Sequence, residues 1–237
     1  MDHAPALSGT ERTRLRRHSE RAQAGRADLD AVLDAGLVCH LGVVIDGAPA
    51  VLPTGYGRIG DTLYLHGSSA NRAFGAAAGR EICVTVTLLD GLVCARSVFS
   101  NSMNYRSAMI FGTARLVTDE AERLTALHAI TEHLIPGSWE NSRRPTRKEL
   151  AATSVLALPL DEASVKVRAG GPKDEDEDYA LGIWAGVLPI TTIVGPAEPD
   201  PVLRPGIAVP PHIRALETPG PRRSDDGSVA SGPAGLP

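Results

Sequence analysis

VLPTGYGRIGDTLYLHGSSANR, residues 51 to 72, is the stretch on which the reading of this chain turns. Pro53 has no backbone N–H to give to a ladder, so the strand carrying it, residues 48 to 57, belongs on a sheet edge or breaks there. Gly60-Asp61 reverses the chain. Residues 61 to 66, DTLYLH, then alternate cleanly: Leu63 and Leu65 point one way, and Thr62, Tyr64 and His66 the other. Gly67, Ser68, Ser69, Ala70 and Asn71 form a loop of hydroxyl and amide groups. The loop opens a short helix over residues 72 to 78, closed by Gly79.

Outward from this hairpin the chain keeps reversing. Upstream, Asp28 is a plausible N-cap for a helix over 28–35, with Leu29, Val32 and Leu33 at helical spacing and Gly36 as its stop. A β-rich run, LVCHLGVVI, follows at 37–45. Asp46-Gly47 then supplies the positive φ angles of a two-residue hairpin turn. Downstream, EICVTVTLL at 81–89 is a strand, Asp90-Gly91 predicts another hairpin, and residues 92 to 97 begin the return. Residues 99 to 105 read as irregular. Residues 106 to 117 read as a long strand with Gly112 as a candidate bulge. The clearest helix is 119–135, with acids in its first turn and Pro136-Gly137 at its end. A polar loop with Trp139, a short helix at 146–152, strands at 154–160 and 164–169, and an apolar run around Trp184 complete the pattern. Successive hairpins of this length predict a mainly β chain with flanking helices, an antiparallel meander closed into a barrel to remove its edges.

Composition sets limits on function. The chain has 237 residues, 43% hydrophobic and 22% charged, with a formal net charge of −4. That balance gives no reason to expect nucleic acid or a membrane surface as a partner. No apolar run reaches the ~20 residues of a membrane span, and the start of the chain is polar and arginine-rich, so the cytoplasm is the default. Cys39, Cys83 and Cys94 form no CxxC pair and are read as buried small hydrophobes. His128 and His133 lie five apart with no third ligand, which favours packing over metal binding. Residues 1–27 are expected to form a surface-lying arm, 28–194 the folded domain, and 195–237 a disordered tail rich in Pro and Gly.

Function is concentrated around the loop at 67–72. Ser68, Ser69, Asn71 and Arg72 before a helix have the chemistry of an anion site, and equally that of ordinary capping. Thr54, Gly55 and Tyr56, just past a donor-poor edge, are a place where a ligand can meet backbone.

The order of the motifs carries a resemblance. LYLHGSSANR (63–72), NYRSAMIFGTARLV (104–117) and GIWAGVLPI (182–190) look like the pyridoxamine 5′-phosphate oxidase-like, FMN-binding split-barrel proteins, and most like the branch that includes nitroimidazole reductases. The resemblance covers about residues 12 to 191. It implies a six-stranded antiparallel split β-barrel, a homodimer, and FMN at the subunit interface. It also implies roles for particular residues. Residues 51 to 56, among them Pro53, Thr54, Gly55 and Tyr56, would line the ring edge with backbone groups. His66 and Gly67 would sit beside the ring or ribityl chain. Ser68, Ser69, Asn71 and Arg72 would hold the phosphate. Asn104, Tyr105, Arg106 and Ser107 would approach from the paired strand, and Trp184 would cover the ring. His66 is the one candidate proton donor. The expected activity is FMN-dependent oxidation or reduction of a small aromatic or nitroaromatic molecule. Scarce lysine argues against pyridoxamine phosphate and against a polyglutamylated deazaflavin. The alternatives are a haem-binding split barrel, with His66 or His40 as axial ligand, and a non-catalytic flavin binder.

Overall fold

The computed structural model describes residue 7 and residues 9–218. It contains eleven strands and six α-helices among those residues. They are, in order, β1 (Ala22–Gln23), α1 (Arg26–Ala35), β2 (Cys39–Ile45), β3 (Ala48–Thr54), β4 (Tyr56–Ile59), β5 (Thr62–Ser68), α2 (Arg72–Ala77), β6 (Glu81–Cys94), β7 (Ser102–Thr113), β8 (Arg115–Leu116), α3 (Glu120–Leu134), α4 (Ser138–Asn141), α5 (Arg147–Ala151), β9 (Thr153–Pro159), β10 (Glu162–Arg168), β11 (Gly186–Pro189) and α6 (Pro211–Arg214).

The strands form two antiparallel sheets rather than one closed barrel, which makes the fold a split barrel. The larger runs β1-β10-β7-β6-β2-β3, with β11 also paired to β6; the smaller runs β4-β5-β9-β8. Leu29, Leu33, Leu41, Val84, Ile110 and Leu156 lie in the main core that joins them. The chain passes from one sheet to the other at Gly55, which separates β3 from β4. That switch explains why residues 48 to 57 read as a single strand: the hydrophobic pattern is continuous and only the pairing changes. Pro53 does stand on the edge strand, β3.

Alternation along β5 does what its sequence implied. Leu63 and Leu65 enter the main core, while Tyr64 joins a second cluster with Val155 and Ala157 of β9 and Ala126 and Ile130 of α3. The smaller sheet is therefore covered on its far face by α3. Close approach depends on Gly57: a Cβ there would lie 2.6 Å from the backbone N of Ile130. Asp119 caps α3 by accepting from the Glu122 N–H at 2.8 Å.

Four local expectations are corrected. Asp46-Gly47 is a hairpin turn with φ of 51° and 81°, but Asp90-Gly91 is not. β6 runs straight through it, with a shift of register between Leu89 and Gly91. The Asp90 carboxylate takes both Nε and Nη2 of Arg106, at 3.0 and 2.8 Å, and β11 pairs alongside. Those two partners turn a turn dipeptide into a bulge. Gly112, the bulge candidate, keeps regular register opposite Ile82. Asp28 is not the N-cap of α1: Gly25 is, and the Asp28 carboxylate reaches back to its N–H at 3.2 Å. Residues 102 to 105 are strand rather than irregular loop.

The N-terminal arm lies along the larger sheet. Arg12 pairs with Glu81 and Glu162, its guanidinium lies 5.1 Å from the Phe111 ring centroid, and β1 extends the sheet edge against β10. Described residues 191–218 belong to a separate unit. Within it α6 is followed by Thr218, whose N–H donates to the Val194 carbonyl at 2.9 Å. The expected disordered tail thus includes described residues 195–218, and its remainder, 219–237, lies outside the described residues.

Candidate ligand site

The smaller sheet and helices α3 to α5 line an open cavity of about 390 Å³. His66, near the end of β5, forms part of its wall. Leu127 and Thr131 of α3, Trp139 of α4, Leu150 of α5 and Thr153 of β9 continue it, and Arg143, Arg144 and Glu149 complete it. The position of His66 follows from the sequence. It shares the parity of Tyr64, so it faces α3, but it lies one repeat beyond the Tyr64 cluster, where α3 has given way to α4.

Two features of His66 set its chemistry. Its Nδ1 is buried with no hydrogen-bond partner. Desolvation alone holds its pKa below the ordinary histidine value. The ring is therefore a neutral imidazole at neutral pH, the form that binds metal ions. Buried side-chain nitrogens usually have a partner; this one has none among the described residues, so its Nδ1 is not held by a hydrogen bond within the chain.

The rest of the wall is tied in place. The Glu132 carboxylate accepts from the backbone N–H of Gly137 and of Trp139, both at 2.7 Å, which fixes the turn from α3 into α4. The Trp139 ring meets His128 edge-on at 5.2 Å and has the Arg144 guanidinium 4.9 Å from its centroid. Glu149 joins Arg143 and also caps α5 through Thr146. These contacts drive the Glu149 carboxyl down to about 2, with Arg143 the largest cause.

Of the residues assigned by resemblance, His66 alone lines this cavity. The Tyr56 side chain is fully buried, and its hydroxyl lies 2.6 and 2.8 Å from the carbonyls of Leu33 and Gly36. Its ring is spent on holding the end of α1, because a phenol in the core needs a buried acceptor. Asn71 is a cap, its Oδ1 accepting from the Ala73 N–H at 2.9 Å. Ser68 Oγ accepts from Ala70 N, and Ser69 is exposed. Arg72 is exposed and paired with Asp46 in the β2–β3 turn. Pro53, exposed at the other end of β3, is roughly 20 Å from that turn at the usual rise per residue. Thr54 and Gly55 sit at the strand switch, Gly55 against the Leu134 side chain. Gly67 leaves room for the Phe74 ring, which a Cβ would meet at 2.9 Å.

The set on β7 divides by face. Asn104 is buried and accepts from Arg168, and Arg106 is held by Asp90. Tyr105 and Ser107 point the other way, on the outer face of the sheet. Trp184 is exposed and folds back over Gly186. His40 is exposed on that same outer face, away from the His66 cavity. His133 has its Nε2 2.7 Å from the Gly36 carbonyl, a packing role. The three cysteines are free; Cys39 is buried and its thiol is pushed up to about 12, while Cys83 and Cys94 are half-buried. Trp139, Arg143 and Arg144 were missed as site residues. Their signal was an aromatic followed closely by two adjacent arginines inside the polar segment 137–146.

A family model described as pyridoxamine 5′-phosphate oxidase matches residues 25–167. The flavocytochrome Anf3 from Azotobacter vinelandii is 44% identical, over 89% of this chain and 99% of that one, with a TM-score of 0.85. The FAD and heme binding protein from Mycobacterium smegmatis is 43% identical, over 83% of this chain and 97% of that one, with a TM-score of 0.80. No curated protein matches the chain.

Proposed function

Since this chain belongs to the pyridoxamine 5′-phosphate oxidase family, we propose that it is an oxidoreductase that binds a flavin and a haem, the haem in the His66 cavity. One observation carries the haem assignment: a neutral, half-buried imidazole with an orphaned Nδ1 in the wall of a largely apolar cavity. The names of the two relatives above, a flavocytochrome and an FAD and heme binding protein, support the pairing. His66 would be the axial ligand. Leu127, Leu150 and the Trp139 ring would pack against the macrocycle and exclude water. When bound, haem supplies one-electron chemistry, and flavin links it to two-electron donors.

The flavin is assigned to the outer face of the larger sheet, between two copies of the chain. Pro53, Tyr105, Ser107 and Trp184 lie on or beside that face, and a second copy would cover what one chain leaves exposed. Ser68, Ser69 and Arg72 stay candidates for its phosphate end, with Arg72 exchanging Asp46 for the anion. FMN is the family expectation, and FAD is the flavin of one relative; both carry the same ring. This haem-plus-flavin reading is favoured over reduction of a nitroaromatic by flavin alone, because that activity gives the His66 cavity nothing to do.

Absorption of the purified full-length protein tests the reading. A flavin band and a Soret band are expected together. His66→Ala is expected to lose the Soret band and keep the flavin. A wild-type protein that takes up flavin but gives no Soret band with added haemin overturns the haem assignment. A Soret band unchanged in His66→Ala removes His66 as the ligand.

A further inference from the structure

The His66 cavity joins two unlike regions. Its depth is apolar, formed by Leu127, Leu150 and Trp139, and its mouth carries two adjacent arginines, Arg143 and Arg144, 67% and 47% exposed. Each arginine is paired with a glutamate: Arg143 with Glu149 at 2.7 Å, and Arg144 with Glu140 at 2.8 Å. Exposed pairs of this kind add little to stability, so exchanging one carboxylate for another costs little.

The two pairs are also built so that the arginines can change partner and stay in place. Glu149 does not depend on Arg143. Its carboxylate also accepts from the Thr146 N–H at 2.7 Å and from its hydroxyl at 2.9 Å, at the start of α5. When Arg143 turns away, Glu149 keeps both donors. Arg144 does not depend on Glu140. Its guanidinium is stacked over Trp139, and the Trp139 backbone is anchored by Glu132. Glu140 is 75% exposed and does not line the cavity. A planar guanidinium offers a fork of donors suited to a carboxylate. Two such forks side by side, at the mouth of an apolar slot, match a flat hydrophobic molecule with two carboxylates on one edge.

Resting on the haem assignment above, we infer that Arg143 and Arg144 bind the two carboxylates of that ligand, exchanging Glu149 and Glu140 for them, and so fix which edge of the macrocycle faces solvent. The cavity then selects dicarboxylate porphyrins over esterified or neutral ones.

The test is a titration of the full-length chain, freed of bound haem, with haemin and with haemin dimethyl ester. It is followed by the Soret band and by quenching of tryptophan fluorescence. Wild type is expected to bind haemin at least about tenfold more tightly than the ester, as charge-assisted hydrogen bonds imply. Arg143→Gln/Arg144→Gln is expected to lose that preference while binding the ester as wild type does, which also reports that its cavity is intact. Glu140→Gln is expected to bind haemin as tightly as wild type or more so. Equal affinity of wild type for haemin and ester, with both lost in His66→Ala, overturns the inference and leaves the haem assignment standing. No Soret band with either probe overturns the haem assignment, and the inference goes with it.

Discussion

The charged form of His66 is disfavoured because the ring is half-buried and its Nδ1 has no hydrogen-bond partner. Desolvation is the one cause of its lowered pKa, although Arg143, Arg144 and Glu149 line the same cavity. The consequence for stability has a definite sign. In the unfolded chain the imidazole takes a proton near its ordinary 6.5; in the folded chain it does so at lower pH. Above that ordinary value neither state binds the proton and the residue adds no pH dependence. As the pH falls from there towards the lowered folded value, the unfolded chain gains protons first and stability drops. Thermal melts of the haem-free protein between about pH 7 and pH 5 are therefore expected to show a falling midpoint. In His66→Gln that fall should be shallower, and the difference between the two curves isolates this residue from the other histidines. Identical slopes in both proteins would mean that the imidazole is not desolvated as its position implies.

At the scale of elements, the cavity exists because α3 lies close against the smaller sheet. Gly57 of β4 sets that distance. A methyl group there would meet backbone atoms of Ala129 and Ile130 at 2.6 to 2.8 Å, and backbone cannot rotate out of the way. Gly57→Ala is expected to push α3 outward and to destabilise the fold by about 1–3 kcal/mol, as overpacking of a tight core does. Leu127 and Thr131 lie on the same helix and line the cavity, so haemin affinity should fall along with the melting temperature. A Gly57→Ala protein that melts and binds like wild type would show that the contact can relax freely. Much of this level could be read from the sequence. The alternation of Leu63, Tyr64, Leu65 and His66 placed each side chain on its correct face, because a strand's period depends on local geometry alone. Asp46-Gly47 and Asp90-Gly91 show where that stops. The dipeptides are the same. The second is held open by Arg106 sixteen residues later and by β11 nearly a hundred residues later, and no local pattern announces either partner. Trp139, Arg143 and Arg144 escaped for a related reason: a one-turn helix and the loop after it are too short to show a period, and their place in the cavity appears only when α3, β5 and β9 are folded beside them.

The molecule as a whole leaves one sheet face unfinished. On the outer side of β2, β3, β6 and β7, Val51 pairs through Gly42 and Cys83 to Phe111, and Val44 and Met109 sit on neighbouring rows. Val51 and Val44 are 67% and 60% exposed. Solvent-facing strand positions of a monomer are ordinarily polar, and contiguous apolar surface of this kind marks an interface. The β6–β7 hairpin adds Leu92, Val98, Phe99 and Met103, all exposed. The residues implied as flavin contacts, Pro53, Tyr105 and Ser107, share the outer face. One surface is thus asked to bury apolar area and to complete a cofactor site, and a second copy of the chain would do both. Sedimentation velocity at micromolar concentration is expected to give twice the 24.9 kDa chain mass. Val51→Asp puts an unpaired carboxylate on that face, on its edge strand β3, where burial against a second copy without a partner is strongly unfavourable. It is expected to yield a monomer that has lost its flavin absorbance. The same variant should still give a Soret band with haemin, because the His66 cavity is lined by elements of one chain and Val51 is not among them. A wild-type monomer that holds flavin would break the link between dimer and flavin site, and a Val51→Asp monomer that loses both cofactors would mean the two sites are not independent.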